Sequence, residues 1–177
     1  MNISGDIQLR HSLWKDAQER YLKDFIFERL VDLFIVACSI GIKEDKIIEN
    51  DLTSDDDCVS IGRNTYLVKN EDLSTIITFL FQNAVLNSKH INFDSNTRLR
   101  IAFDPDFPDA NTKINLSPTS FLVKFATYGL SVLNDKYNSN DLAHVISIKD
   151  LLDEHIMEDY SDILEEIKKD MEEFSQK

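Results

Sequence analysis

The stretch of residues 21–41, YLKDFIFERLVDLFIVACSIG, constrains the fold of this chain more than any other. Leu22, Phe25, Ile26, Leu30, Leu33, Phe34, Ala37 and Ile40 recur at spacings of three and four, the period of one helical face. Val31, Ile35 and Val36 fill the flanks of that stripe, so its second half is apolar nearly all round. A helix of that kind belongs inside a core, with other elements against more than one side of it. Phe34 falls at its centre. Gly41 follows the last periodic residue, where a left-handed C-cap free of a side-chain clash is expected.

The remaining elements predict a mainly α fold, with helices packed around that central one and a small β-hairpin attached. The first dozen residues look like a flexible start. From Ser12, the pattern Leu13, Trp14, Ala17, Tyr21 runs into the central helix, either continuously or with a bend near Tyr21. Trp14 is expected to pack these first turns onto the core. Residues 42–57 are charged and predict a loop, with a turn of helix around Asp45 and Glu49. In residues 58–68, CVSIGRNTYLV, two β-branched runs flank Gly62, Arg63 and Asn64, which predicts the hairpin. Asn70 offers an N-cap, and Glu71 and Asp72 place negative charge at the positive end of the next helix. Leu73, Ile76, Ile77, Leu80, Phe81, Ala84 and Val85 form its stripe, directed at the central helix, with Thr75, Thr78, Gln82 and Asn83 outside it.

Residues 88–116 are polar and irregular, with a short strand expected from Leu99 to Phe103 and with Arg98 and Arg100 on a solvated strand face. Ser117 and Pro118 then supply an N-cap followed by proline at the first helical position, where no amide hydrogen is needed. Phe121, Leu122, Phe125, Ala126, Leu130 and Leu133 make the stripe of that helix. Gly129 sits on the same stripe at a cost of about 1 kcal/mol in helix propensity, which close approach of a neighbouring helix would explain. Ser147 and Asp150 resemble a capping box. After them Met157, Tyr160, Leu164, Ile167, Met171 and Phe174 are spaced as a short heptad seam suited to one partner helix.

At 177 residues the chain is long enough to bury one sizeable core. The division expected is a helical core domain, 1–149, and an acidic C-terminal helix, 150–177, that either completes it or serves as an interaction arm. Four Gly and three Pro disfavour a turn-rich all-β fold. Cys38 lies in the apolar helix and Cys58 follows Asp55, Asp56 and Asp57, with no secretory signal ahead of them, so a reduced, cytoplasmic chain is expected. The longest unbroken apolar run, Leu33 to Cys38, is far short of the roughly 20 residues of a membrane span. The net charge is −13, of which −8 falls in residues 150–177. An acidic balance gives no electrostatic footprint for nucleic-acid binding, which needs clustered Lys and Arg.

No constellation for chemistry emerges, and no cofactor, metal or catalytic residue is assigned. Asp104, Asp106 and Asp109 invite a metal, but an EF-hand loop beginning at Asp104 needs Gly at its sixth position and Glu at its twelfth, where Asp109 and Asn115 stand. His11, His90, His144 and His155 are scattered without zinc-site spacing. Ser131 follows Gly129 without the G-x-S-x-G elbow, and Cys38 is expected to be buried and inert. Glu44, Asp45 and Lys46 are adjacent, but on a stretch expected to be a polar loop.

Two segments carry a resemblance. FERLVDLFIVACSIGIKEDK, residues 27–46, resembles the helix-then-glycine opening of proteins associated with DNA phosphorothioation systems. LSPTSFLVKFATYGLSVL, residues 116–133, is similar to a later helical segment of such accessory proteins. The size also matches the small middle subunit of Lamassu-type three-component bacterial defence systems, which accompanies an ATPase related to chromosome-maintenance proteins and an effector nuclease. The resemblance implies a non-catalytic subunit whose large partners hold the enzymatic activities. The function expected is therefore an accessory or scaffolding subunit in antiviral defence, binding through Tyr160, Ile163, Leu164, Ile167, Met171 and Phe174, and through the helix from Phe121 to Leu133. Two alternatives stay open: an acidic inhibitor that imitates nucleic acid, and a divalent-metal enzyme built on the loop from Asp104 to Asp109.

Overall fold

The structure, a computed structural model, describes residues 3, 5–23, 27–50, 58–68, 71–104, 106–108 and 114–136. In chain order these form β1 (Ile7–Leu9), α1 (Leu13–Lys23), α2 (Leu30–Glu44), β2 (Val59–Ile61), a π-helical turn (Asn64–Val68), α3 (Glu71–Asn87), α4 (Ser95–Phe103) and α5 (Pro118–Lys136). The fold is mainly helical with one small antiparallel sheet. The chain divides into two compact units, Met1–Leu133 and Asn134–Lys177. Everything described below concerns the first; the expected boundary at residue 150 lies outside the described residues.

The central helix is shorter at its start and longer at its end than its periodicity implies. Helix α1 ends at Lys23 and α2 begins at Leu30, after Phe27 has folded back with its N–H on the Tyr21 carbonyl at 3.3 Å and its ring edge-on to Tyr21. Arg29 clamps Asp32 in the first turn of α2 through two hydrogen bonds of 2.7 and 2.8 Å. Val31, Leu33, Phe34, Ala37, Cys38 and Ile40 are buried, as the stripe and its flank require. Gly41 is not the cap. It lies inside α2, and the chain leaves the helix at Asp45, whose φ of 47° is left-handed. The Asp45 N–H reaches the Ile42 carbonyl and the Lys46 N–H the Gly41 carbonyl, a Schellman ending. Aspartate tolerates that conformation better than most side chains.

Gly41 serves packing instead. A Cβ on Gly41 would overlap the backbone of Phe125, and a Cβ on Gly129 would overlap the backbone of Ala37. The two glycines are thus reciprocal: each helix offers one where the other's main chain passes. Ala37 faces Gly129 and Gly41 faces Phe125, so α2 and α5 cross in opposite chain directions. The expected reason for Gly129 is the one found. Trp14 on α1 closes this core, its Nε1 donating to Thr127 Oγ1 at 3.1 Å and its ring 6.3 Å from that of Phe34. Helix α3 packs on α2, as its stripe predicts, with Leu73, Ile77, Phe81, Ala84 and Val85 buried. At the start of α5, Pro118 is the first helical residue and Ser117 Oγ accepts from the Ser120 N–H at 3.4 Å.

The strand in residues 58–68 forms, but its partner is not the following run. β2 pairs antiparallel with β1 at the N-terminus, Ile7 opposite Ile61 and Leu9 opposite Val59. The first dozen residues therefore include a strand, with Ile7 and Leu9 fully buried. After Gly62 the chain winds at once into the π-helical turn, the Thr65 N–H returning to the Gly62 carbonyl at 2.9 Å, so Thr65–Val68 cannot run back along β2. Two ties hold the N-terminal strand in place: Arg63 N–H to Asp6 Oδ1 at 2.8 Å, and the Tyr66 hydroxyl to the Gly5 carbonyl.

Two substitutions test this core. Gly129→Ala gains about 1 kcal/mol in helix propensity but overpacks against main chain that has no rotamer to yield, and is expected to lose about 1–3 kcal/mol overall. A stabilised variant in urea unfolding would refute the close crossing. Phe34→Ala is expected to cost about 3–5 kcal/mol; a loss near the 0.5 kcal/mol scale of surface changes would remove Phe34 from the centre.

Candidate functional site

The region 88–116 is more ordered than its sequence implies. Asp94 accepts from the Asn96 and Thr97 N–H groups at 3.0 Å and from the Thr97 hydroxyl at 2.6 Å, and so caps α4. The expected strand from Leu99 to Phe103 is helix, because an aspartate cap turns the chain just before residues whose alternation alone suits either period. Arg98 is correspondingly not on a solvated face. Its guanidinium donates to the carbonyls of Val85, Leu86 and Ser88 from Nη1, Ile91 from Nη2 and Phe93 from Nε, at 2.7–3.3 Å. These are the open carbonyls at the end of α3 and in the loop after it. One side chain therefore fixes α4 against the end of α3.

Gln82 Nε2 donates to the Ala102 carbonyl at 3.1 Å. Val85 and Leu86 meet Arg98 while Gln82 meets Ala102, so α3 and α4 run antiparallel. Arg100 lies over the Phe107 ring, 4.1 Å from its centroid, with Nε 3.5 Å from Asp104 Oδ2. Asp104 Oδ1 accepts from the Asp106 N–H at 3.0 Å. This shapes a turn rather than a cage, and Asp109 lies outside the described residues.

Among the described residues, the large exposed apolar side chains all stand on this helix pair. Ile76 and Phe79 on α3 are 41% and 64% exposed, and Leu99 and Phe103 on α4 are 51% and 58% exposed. Ile76 belongs to the stripe expected to be buried; Ile77 and Phe81 of that stripe are buried, whereas Ile76 is exposed. From Leu73 to Asn87, α3 carries no charged residue, in a chain that is 29% charged. Beside Phe79, Ser74, Thr75, Thr78 and Gln82 line a shallow open concavity of about 190 Å³. Exposed aromatics beside an uncharged stretch of helix and a few neutral hydrogen-bonding groups match the composition common at protein contact surfaces. Sequence reasoning missed it, although the run of α3 without charge and Phe79 off the stripe were visible signals.

Several charged groups elsewhere among the described residues join one element to another. Glu44, Asp45 and Lys46 leave α2 together, but the two carboxylates diverge. Lys46 Nζ donates to Glu44 Oε2 at 2.8 Å and to the Tyr128 hydroxyl at 2.9 Å, and that hydroxyl donates to Glu44 at 2.7 Å. Its hydrogen bonds to Glu44 and Tyr128 push the Lys46 pKa up and hold it as an ammonium. Asp45 turns the other way, accepting from the Lys89 N–H at 3.2 Å, while its carbonyl meets His90 Nε2 at 2.8 Å. Burial opposes its charge, but Ser88, Lys89 and His90 outweigh that and lower its pKa. Cys38 is fully buried, its thiol directed at the Leu122 carbonyl at 3.7 Å, and burial raises its pKa out of the reactive range. Ser131 Oγ donates to the Tyr128 carbonyl. Among the described residues no group of three or more His, Cys, Asp or Glu side chains is placed to hold a metal ion, and no helix is long and apolar enough to cross a membrane.

The expected contact helix is corrected. Phe121, Leu122, Phe125, Ala126, Leu130 and Leu133 are all buried inside the unit, so that stripe has no free face for a partner. Tyr160, Ile163, Leu164, Ile167, Met171 and Phe174 lie outside the described residues, as do Asp55, Asp56, Asp57, His144 and His155.

Arg98→Ala strands several carbonyls and is expected to cost about 2–3 kcal/mol, with Arg98→Lys recovering only part, since an ammonium lacks the planar fork; equal urea midpoints for all three proteins would count against this clamp. The Thr97 hydroxyl and N–H lower the Asp94 pKa below the unfolded value of about 3.9. The stability this contributes is present above that pH and drains as pH falls through the lower folded value. Asp94→Asn keeps an acceptor but does not titrate, so the advantage of the wild type over it should shrink from pH 6 to pH 3; a constant difference would exclude the linkage. Compared with known proteins, the chain matches no family model, no curated protein and no solved structure.

Proposed function

We propose that this chain is a non-catalytic, cytoplasmic accessory subunit that binds a larger protein, with the outer face of α3 and α4 as a docking surface. One observation carries the reading: four large apolar side chains, Ile76, Phe79, Leu99 and Phe103, stand exposed on a joined helix pair whose first helix has no charge from Leu73 onward. Leaving such groups in water forgoes about 25 cal/mol for each Å² that a partner could cover. The divergent carboxylates and the protonated Lys46 support a binding role over a hydrolytic one. The sequence resemblance of residues 27–46 and 116–133 supports placing it in a bacterial defence assembly, beside an ATPase and a nuclease that do the chemistry. The heptad seam from Met157 to Phe174 is the second candidate contact in this reading.

The test is pairwise co-expression with the product of each adjacent gene, followed by measurement of Kd for any pair that forms. Phe79→Asp combined with Phe103→Asp, in a protein of unchanged helicity, is expected to weaken the pair by about 2 kcal/mol or more, roughly 30-fold. Leu164→Asp with Ile167→Asp reports on the seam. Loss through the second pair of changes alone would move the interface to the C-terminal segment, and no pairing with any neighbour would sink the reading.

A further inference from the structure

We draw no further inference here: the strongest candidate, the exposed apolar side chains of α3 and α4 around Phe79 and Phe103, belongs to the docking surface already proposed, and nothing in the structure shows the chemistry of what covers it.

Discussion

The close crossing of α2 and α5 is the constraint on which the described unit depends. Two helices can bring their backbones this close only where one of them carries no side chain at the contact, and here Gly41 and Gly129 each open the space that the other helix enters. Small residues let dispersion contacts form between main chains, at the cost of about 1 kcal/mol of helix propensity per glycine. Once the crossing is set, the neighbours fall into place. Trp14 can reach Thr127 from α1, the Cys38 thiol meets the Leu122 carbonyl, and the segment after α2 runs along α5 with the Ile48 N–H on the Lys124 carbonyl. Lys124 in turn pairs with Glu49 at 2.7 Å.

A second consequence concerns chemistry. A chain rich in carboxylates looks equipped for acid–base or metal work, yet the side chains that the fold gathers are spent on its seams. Tyr128, Glu44 and Lys46 close the junction of α2 with α5. Asp45, Lys89 and His90 join the end of α2 to the end of α3, with the His90 ring edge-on to Phe125 at 6.0 Å. Arg98 seals the carbonyls at the end of α3. Among the described residues, the contrast to these joints is apolar: Ile76, Phe79, Leu99 and Phe103 stand exposed on α3 and α4.

Much of the core was legible in the residues. The stripes of α2, α3 and α5, the Ser117–Pro118 helix start, the packing role of Trp14 and the reason for Gly129 all follow from period, capping chemistry and the steric meaning of glycine. Four features were not legible. Gly41 satisfies both a capping rule and a packing rule, and only the path of α5 decides between them. Residues 58–61 have the pattern of a strand, but a strand's partner is set by what can reach its edge, and its partners Ile7 and Leu9 lie far away near the N-terminus. Residues 99–103 are too few to separate helix from strand by alternation; Asp94 and its hydrogen bonds to Thr97 settle it. The exposed apolar side chains of α3 escaped for a related reason. Ile76 lies on the same apolar stripe as Ile77, and exposure is decided by how much of that stripe the neighbouring elements cover.

What the sequence determined by itself is therefore the set of helices, the apolar faces they must bury and the two glycines that permit a close approach, since these depend on local spacing and on the absence of a side chain. The tertiary structure decided which strand pairs with which, where α2 ends, that Phe121 to Leu133 face inward and that Phe79 and Phe103 face water. Each of those depends on which distant surface packs against a given face, and burial is a property of the pair and not of either segment alone.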